Sequence, residues 1–335
     1  MELGQHVNAA FRPRFVVATD SFKGTFTADE AARAIATGVV EQGAAAVARP
    51  VADGGEGTLA VIVAALDGER RTAACHDALG REIIAEFGLI EHGRTAVVEA
   101  AAAAGLPMIA EGDRDAEAST TAGVGELILA ALAAGAERVI VTVGGVASTD
   151  GGRGAVDVLA AHHRIPMTVL CDVDTAFENA AVVFAPQKGA DPAAVERLTA
   201  RLHRYAKALP RDPRGVPRTG AAGGLAGGLW AARDAELVSG AEYVLRLLDF
   251  DALLHGADAV VTGEGCFDEQ SLRGKIVGAV LEHARAAGVP VYVVAGRSEW
   301  TDPPTGIAGV VIASSPDELV AAGRRIAARF ADATP

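Results

Sequence analysis

The lysines of this chain are its first candidates for chemistry, because arginine supplies nearly every other positive charge. Only four of the 30 basic residues are lysines, and three of them, Lys23, Lys188 and Lys275, stand beside a glycine in the segments SFKG, PQKG and RGK. A lysine ammonium is a compact point charge that suits phosphate oxygens, and arginine's planar fork does not substitute for it. The pattern predicts that these three lysines bind anionic oxygens.

A second set of candidates consists of acidic residues that follow apolar, strand-like segments and stand among glycines. In open α/β sheets, ligands bind beyond the carboxyl ends of the strands, where glycine N–H groups can approach phosphate oxygens. Carboxylates at that edge can hold Mg²⁺ or accept a proton, so acids, lysines and glycines together predict phosphoryl transfer. The acidic residues of this set are Asp20, Asp53, Asp150, Asp172 and Glu264.

Other nucleotide-binding and hydrolase motifs do not occur in the sequence. Gly274-Lys275 lacks both the first glycine and the following Ser or Thr of a P-loop. Gly123-Val124-Gly125 precedes a strand-like segment instead of following one, and we interpret it as a helix start. No H-E-x-x-H sequence and no nucleophile elbow is found. These absences favour a phosphoryl-transfer site of a different kind.

Apolar periodicity predicts alternating strands and helices at both ends of the chain. Thr27 to Glu30 forms a capping box that starts one helix, and Ser315 to Glu318 forms another before the last helix. Between residues 70 and 100 three strand-like segments follow one another, which predicts an antiparallel patch. Strands are predicted at 15–19, 71–75, 82–90, 95–99, 139–143, 168–171, 259–262, 291–295 and 310–313, and helices at 27–40, 58–65, 122–134, 191–209 and 271–287 and after 315.

These elements predict the fold class and the domain organisation. Strands that alternate with helices imply parallel pairing. We therefore predict an α/β protein with a Rossmann-like parallel-sheet domain built from both chain ends, and a mixed α/β domain inserted between them. The predicted boundaries are 12–69 and 255–335 for the two parts of the Rossmann-like domain, and 70–254 for the inserted domain.

Composition and charge limit the partners and the compartment. The 335 residues carry a net charge of −13, which argues against nucleic acid or an anionic membrane, since both need a basic surface. Cys75, Cys171 and Cys266 form no disulfide or metal-ligand spacing, which is typical of a reducing cytosol. No apolar segment reaches the roughly 18 residues of a membrane span. We expect a soluble, cytoplasmic monomer or homodimer that acts on a small molecule.

Several motifs, taken in order, resemble the type I glycerate kinases of bacteria. This resemblance implies ATP and Mg²⁺ as cofactors, D-glycerate as the acceptor, a 2-phosphoglycerate product and two α/β domains. It extends from about residue 15 to about residue 296. The matching segments are DSFKG (20–24), VADGGEGT (51–58), GGVASTDGG (144–152), CDVD (171–174), VFAPQKGA (183–190), GAAGG (220–224), TGEGCFDEQS (262–271) and GK (274–275).

The candidate site residues follow from these segments. Lys23 and Lys188 are predicted to hold anionic oxygens of ATP or acceptor, together with backbone N–H groups at Gly54-Gly55 and at 263–265. Asp172, in preference to Asp150, is predicted to accept the proton of the acceptor hydroxyl. Mg²⁺ is predicted to bind some of Asp20, Asp53, Asp172 and Glu264. Predicted cofactor contacts are Asp20, Ser21, Asp53, Gly54, Gly55, Glu56, Gly263, Glu264, Gly265, Asp268, Gln270, Ser271 and Lys275.

Three departures from the family pattern concern the acceptor. In GGVASTDGG, Val146 and Thr149 stand where the family usually has Ser and Asn. Residues 172–177 read DVDTAF where the family usually has DVDNPL, and the segment between Gly154 and Thr168 is shorter than usual. A site that hydrogen-bonds its substrate discriminates strongly, so such changes can redirect specificity. Two alternatives to a glycerate kinase therefore stay open: a kinase of another small hydroxy acid, and a catalytically silent sensor that binds nucleotide or glycerate.

Overall fold

The computed structural model describes residues 12–272, 275–300 and 302–333, and contacts divide them into two compact units. The first unit contains 12–50, 249–272 and 277–333, and the second contains 51–248 with 275–276. In chain order the strands and helices are β1 (Arg14–Thr19), α1 (Ala28–Glu41), β2 (Ala45–Ala48), α2 (Thr58–Ala65), β3 (Glu69–His76), β4 (Glu82–Ile90), β5 (Thr95–Glu99), α3 (Ala100–Ala104), α4 (Ala122–Ala133), β6 (Arg138–Thr142), α5 (Arg153–Leu159), β7 (Met167–Cys171), α6 (Ala180–Phe184), α7 (Pro192–Ala206), α8 (Leu225–Arg233), β8 (Glu236–Ser239), α9 (Gly240–Leu247), α10 (Phe250–Leu254), β9 (Ala259–Phe267), α11 (Ile276–Ala286), β10 (Val291–Ser298), β11 (Ile307–Ile312) and α12 (Pro316–Ala333).

The first unit is built on a parallel sheet with the strand order β11-β10-β9-β1-β2. Every neighbouring pair in this sheet is parallel, as the alternation of strands and helices requires. Strands from both ends of the chain contribute to it, and the predicted α/β class with a Rossmann-like parallel sheet is confirmed. The capping box at Thr27 and Glu30 is also confirmed, because each residue accepts a backbone hydrogen bond from the other.

Glycines allow α1 and α12 to pack closely in the first unit. A Cβ atom added at Gly38 would lie 1.9 Å from the carbonyl oxygen of Val320, and one added at Gly323 would lie 2.1 Å from that of Ile35. Both distances are far below van der Waals contact, so the two helix backbones meet where neither can carry a side chain. These helices cover one face of the sheet through a common apolar core.

We expect Gly38→Ala to destabilise the protein by ~1–3 kcal/mol, because the added methyl group forces the two helices apart. The sign of the stability change is informative, because replacing glycine by alanine in a helix interior otherwise stabilises the helix by about 1 kcal/mol. Urea unfolding measures the change. Gly112→Ala is a matched control, because nothing lies within 4 Å of its added Cβ. Equal stability of the two variants would contradict this account of the helix pair.

The second unit contains a mixed sheet with the order β3-β4-β5-β6-β7-β8. Strands β3, β4 and β5 pair in antiparallel fashion, as predicted for residues 70–100, and the remaining pairs are parallel. The sequence placed the first domain boundary after residue 69. In the structure α2 already belongs to the second unit, because it packs against β4 and β5.

The structure differs from the predicted elements in two further ways. Strand β9 was expected to end at residue 262, but it continues to Phe267, so Gly263, Glu264 and Gly265 lie in the strand instead of in a loop. The helix expected to start at residue 271 starts at Ile276, after a 3₁₀ turn (Gln270–Leu272). Short elements without a clear period were not predicted, namely α3, α5, α6, α9, α10 and β8. Within the described residues no helix is both long and apolar enough to span a bilayer.

Candidate active site

The glycine-rich loop 53–58 lies against the carboxyl end of strand β7. Gly54 has φ +95°, and a Cβ added there would lie 3.1 Å from the Cβ of Leu170 and from the Cα of Gly240. The Asp53 carboxylate is buried and turns back on its own loop, where Oδ1 accepts a hydrogen bond from the Gly55 N–H at 3.0 Å. Only glycine permits so close an approach of the loop to β7 and Gly240. The loop thereby keeps the buried Asp53 carboxylate at the end of the sheet.

Glu99, which is not among the predicted site residues, fixes the same loop from strand β5. Its carboxylate accepts hydrogen bonds from the N–H groups of Gly57 at 3.1 Å and Leu59 at 3.2 Å, at the start of helix α2. Burial is the largest influence on this carboxyl and raises its pKa, against the two backbone hydrogen bonds that lower it. The available signal was an acidic residue at the end of an apolar strand, which is the pattern that singled out Asp20 and Asp53.

Segment 144–152 follows strand β6 and packs beside the first loop. A Cβ added at Gly144 would lie 2.4 Å from the Cα of Gly55, so the two backbones touch. Val146 points into the hydrophobic core, where it is 3% exposed, and its backbone pairs with Gly105. Of the two departures from the family pattern in this segment, the one at Val146 therefore alters packing.

Asp150 uses both carboxylate oxygens to organise neighbouring turns. Oδ2 accepts from the N–H and hydroxyl of Thr121, at 2.9 and 2.8 Å, and from the N–H of Gly154 at 3.0 Å. Oδ1 accepts from the N–H of Gly152 at 2.9 Å. The carboxylate thus joins the start of α4 to the start of α5, and its lone pairs are directed at these donors.

Lys188 is the buried cation of this region. It ends a 3₁₀ turn (Pro186–Lys188), is 3% exposed, and donates from Nζ to the carbonyl oxygen of Ser148 at 2.5 Å. Burial lowers the pKa of Lys188 to about 7, although the nearby negative charge of Asp150 acts in the opposite direction. A lysine ammonium has three N–H groups that can donate. The bond to Ser148 uses one of them, so Lys188 can still bind a further anionic oxygen.

The segment 220–224 supports Ser148 from another side. Ala222 and Gly223 both have left-handed backbones, with φ +53° and +65°, a conformation that costs little only for glycine. A Cβ added at Gly223 would lie 2.2 Å from the carbonyl oxygen of Ser148. The glycines of GAAGG therefore serve close backbone packing against the Asp150 segment.

Asp172 directly follows strand β7 and is half-buried. Burial first, and then the charge of Asp172, raises the pKa of the Cys171 thiol to about 12, so that this cysteine stays protonated and inert. Asp174, two residues further, is exposed and forms an ion pair with Arg218 at 3.2 Å. The two carboxylates of the CDVD segment therefore lie in different environments.

In the first unit, the DSFKG segment follows the carboxyl end of β1 and lies beside residues 263–265 of β9. The Asp20 N–H donates to the carbonyl oxygen of Gly263 at 2.8 Å, and the Asp20 carboxylate accepts from the N–H of Ser21 at 2.6 Å. Lys23 is exposed, and its backbone nitrogen lies 3.3 Å from the position of an added Cβ on Gly265. These residues form one local group with buried Asp20.

The prediction that 263–265 form a loop is wrong, because these residues belong to strand β9. Binding of anionic oxygens by their N–H groups stays a prediction. Gly263 is paired in the sheet with Thr19 on one side and with Val294 on the other, and Glu264 is paired with Ala295. The strand continues because β10 also extends beyond its expected end. Backbone pairing, not a free loop, therefore determines the position of these residues.

The QS part of the TGEGCFDEQS segment has a structural explanation. Asp268 Oδ1 accepts from the N–H groups of Gln270 and Ser271, at 2.8 and 3.1 Å, and buried Ser271 returns a bond from its hydroxyl to the Cys266 carbonyl. Gln270 is exposed and Lys275 is half-buried. Arg273 and Gly274 lie outside the described residues.

The predicted site residues lie in two local groups, one in each unit. In the second unit the group at the carboxyl ends of β5, β6 and β7 also includes Glu99, and Glu56 is exposed beside it. The group of the first unit consists of Asp20, Ser21, Lys23, Gly263, Glu264, Gly265, Asp268, Gln270 and Ser271. The group of the second unit consists of Asp53, Gly54, Gly55, Glu56, Asp150, Asp172 and Lys188.

Comparisons with known proteins agree with these motifs. The family model described as the glycerate kinase family matches residues 15–165 and 159–322. Glycerate 2-kinase of Escherichia coli K12 is 37% identical over 323 residues, covering 84% of this chain and 85% of that protein. Glycerate kinase of Halalkalibacterium halodurans is 37% identical over 321 residues, covering 84% of each. A crystal structure from Salmonella typhimurium LT2, of a protein assigned as glycerate kinase 2, has a TM-score of 0.82 at 33% identity and covers 96% of this chain and 99% of that one.

These matches define the class as a kinase that acts on a small molecule. This chain belongs to the glycerate kinase family, and the resemblance stated from its motifs is confirmed.

The family match consists of two stretches that overlap at residues 159–165, within the segment that the sequence indicates is shortened. Arg233 binds the backbone of this segment through hydrogen bonds. Its guanidinium is largely buried and donates to the carbonyl oxygens of Leu159, His162 and His163, at 3.1, 3.0 and 2.8 Å. The short connection between α5 and β7 is thus held by three charge-assisted hydrogen bonds.

Proposed function

We propose that this protein transfers the γ-phosphoryl group of ATP to D-glycerate and forms 2-phosphoglycerate. Lys188 is the observation that carries the proposal. A buried ammonium at the end of a sheet, beside two glycine-rich segments, costs free energy for folding unless it meets an anion. The transferred group and the acceptor are both anionic, so this cation is suited to neutralise the charge of phosphoryl transfer.

Asp53 fits a role as a ligand of Mg²⁺. Its carboxylate is 5% exposed, and among the described residues only Oδ1 accepts a hydrogen bond. A buried carboxylate with an oxygen left over favours a cation, and oxygen is the ligand atom that Mg²⁺ prefers. Mg²⁺ held there would supply positive charge against the phosphate oxygens. Glu264, which is also buried, remains a proposed ligand in the first unit.

We assign the proton transfer to Asp172. As the acceptor hydroxyl oxygen attacks the γ-phosphorus, its proton passes to the Asp172 carboxylate, while the bond between the γ-phosphorus and the bridging oxygen breaks and ADP leaves. Asp150 suits this role less well, because its two oxygens already accept four hydrogen bonds at 2.8–3.0 Å. Its role is to hold the segment that carries Ser148.

Four residues remain proposed nucleotide contacts: Ser21, Lys23 and Gln270 in the first unit, and Lys275 in the second. Lys23 and Gln270 are exposed, and can reach a ligand without displacing core residues. Asp268 and Ser271 act indirectly, because their polar atoms hold the turn that presents Gln270.

One observation favours the alternative that the phosphoryl acceptor is a different hydroxy acid. Thr149 replaces the Asn that is usual in the family, and it is fully buried beside Lys188's partner Ser148. A changed hydrogen-bonding group there would favour a different small hydroxy acid.

An ADP-release assay with D-glycerate, L-glycerate, tartronate and lactate tests both possibilities. We expect the highest kcat/KM with D-glycerate. A higher kcat/KM with one of the other acids would identify that acid, and not D-glycerate, as the substrate. Binding of ATP or glycerate, seen as ligand-induced thermal stabilisation without any ADP, would instead identify a silent sensor.

A further inference from the structure

Ser148 and Thr149 carry buried polar atoms that no described residue uses. Both residues are 0% exposed, and neither hydroxyl oxygen has a hydrogen-bond partner among the described residues. Buried hydroxyl groups are normally paired, since an unpaired one costs about as much as a lost hydrogen bond. Two neighbouring exceptions in one segment indicate a partner that the protein itself does not supply.

The backbone of the same two residues is oriented by cations. The Ser148 carbonyl accepts from Lys188 Nζ at 2.5 Å, and the Thr149 carbonyl accepts from Arg201 Nη2 at 2.9 Å. The N–H of each peptide points opposite to its C=O, so the N–H groups of Thr149 and Asp150 point away from these cations. Neither N–H donates to another atom of the described residues.

Groups that neighbour residues 148–150 restrict the kind of ligand that this segment can bind. Gly223 packs on the carbonyl side, where an added Cβ would lie 2.2 Å from the Ser148 oxygen. The negative charge of Asp150 is directed at the N–H and hydroxyl groups of Thr121 and at the N–H groups of Gly152 and Gly154. What remains are donors: two hydroxyl groups and two N–H groups, with two cations behind them. Such a set recognises an oxyanion.

We propose that residues 148–150 form an oxyanion cradle, in which the hydroxyl groups of Ser148 and Thr149 and the N–H groups of Thr149 and Asp150 bind an anionic group of the reactants. This inference rests on the proposed function for the source of the anion. The acceptor's carboxylate and the transferred phosphoryl group share the required chemistry. Thr149 is then a specificity-determining residue, and the family's Asn would supply an amide donor at the same place.

Thr149→Val tests the cradle, because valine keeps the shape of threonine and removes the hydroxyl. A hydrogen bond to a charged group changes binding by about 10- to 100-fold. Isothermal titration of the full chain with D-glycerate, and separately with ATP and Mg²⁺, gives the two dissociation constants, and steady-state assays give KM and kcat. Weaker glycerate binding with unchanged ATP binding identifies the carboxylate. Weaker ATP binding, or a lower kcat with both constants unchanged, identifies the phosphoryl group.

Two further variants keep the test independent of folding. Thr142→Val removes another fully buried hydroxyl without a described partner, on strand β6, and is expected to leave binding and turnover unchanged. Thr149→Ser restores a hydroxyl and is expected to recover most of the loss. Unchanged binding and turnover in Thr149→Val, or an equal loss in Thr142→Val, would overturn the cradle. Absence of turnover in the unaltered protein would refute the proposed function, whereas the titrations would still decide whether the cradle binds an anion.

Discussion

Asp172→Asn is expected to lower kcat by about 10²–10⁴-fold, the usual contribution of a general base, while ATP binding is retained. Asparagine has the shape of aspartate but cannot take the proton of the acceptor hydroxyl. Asp172 is half-buried directly after strand β7, at the sheet edge where parallel α/β proteins bind their ligands. Single-turnover measurements with saturating ATP separate the loss in the chemical step from any change in binding.

Asp174→Asn is the matched control, because Asp174 is exposed and ion-paired with Arg218. Exposed ion pairs contribute about 0–1 kcal/mol, so this variant should retain its activity and nearly all its stability. Recovery of Asp172→Asn by high Mg²⁺ would contradict a base and indicate a metal ligand instead. Undiminished kcat in Asp172→Asn would refute the assignment altogether.

Lys188→Met is expected to lower kcat by about 10²–10³-fold, the loss that follows removal of a preorganised donor to developing charge. Methionine fills a similar volume without the ammonium. Lys207→Met is the control, since Lys207 is an exposed lysine at the end of helix α7 in the same unit. Equal activity of both variants would show that the buried cation plays no part in the reaction.

The same substitution changes the pH dependence of stability. Burial lowers the pKa of Lys188 to about 7 in the folded protein, from an ordinary value of 10.5. Between these values the unfolded chain binds more protons, so this group makes the free energy of unfolding rise with pH, by up to ~1.4 kcal/mol per pH unit. Below pH ~7 both states are protonated and its contribution is constant.

We therefore expect the free energy of unfolding of the unaltered protein to increase relative to Lys188→Met between pH 7 and 10. Parallel urea titrations of the two proteins measure the difference, and Lys207→Met again serves as control. A constant difference across this range would contradict a buried lysine with a lowered pKa.

Local sequence signals were sufficient for much of the fold. The capping box at Thr27 and Glu30 and the strands 82–90 and 95–99 were predicted because each depends on neighbouring residues and a regular period. Strand β9 was ended too early, because Gly263 and Gly265 have weak strand propensity. Pairing with β1 and β10 keeps these residues in the strand, and such long-range pairing is not visible in a local pattern.

Residue types alone could not separate the roles of the candidate site residues. Asp150 and Asp172 both follow strands, yet Asp150 is surrounded by donors that come from residues 121, 152 and 154. Val146 was expected to affect the acceptor but is part of the core. Glu99 ends an apolar strand and could have been singled out by that pattern, but its role depends on Gly57 and Leu59, some 40 residues away in the chain. Each of these assignments depends on contacts between distant segments.

Phosphorus NMR of one reaction mixture tests the central claim most directly. The protein is incubated with ATP, Mg²⁺ and D-glycerate, and the ³¹P signals are followed until ATP is consumed. We expect ADP and a phosphomonoester of glycerate in equal amounts, with the phosphorus coupled to the single proton on C2. ADP accompanied only by inorganic phosphate, or ATP that persists unchanged, would contradict it.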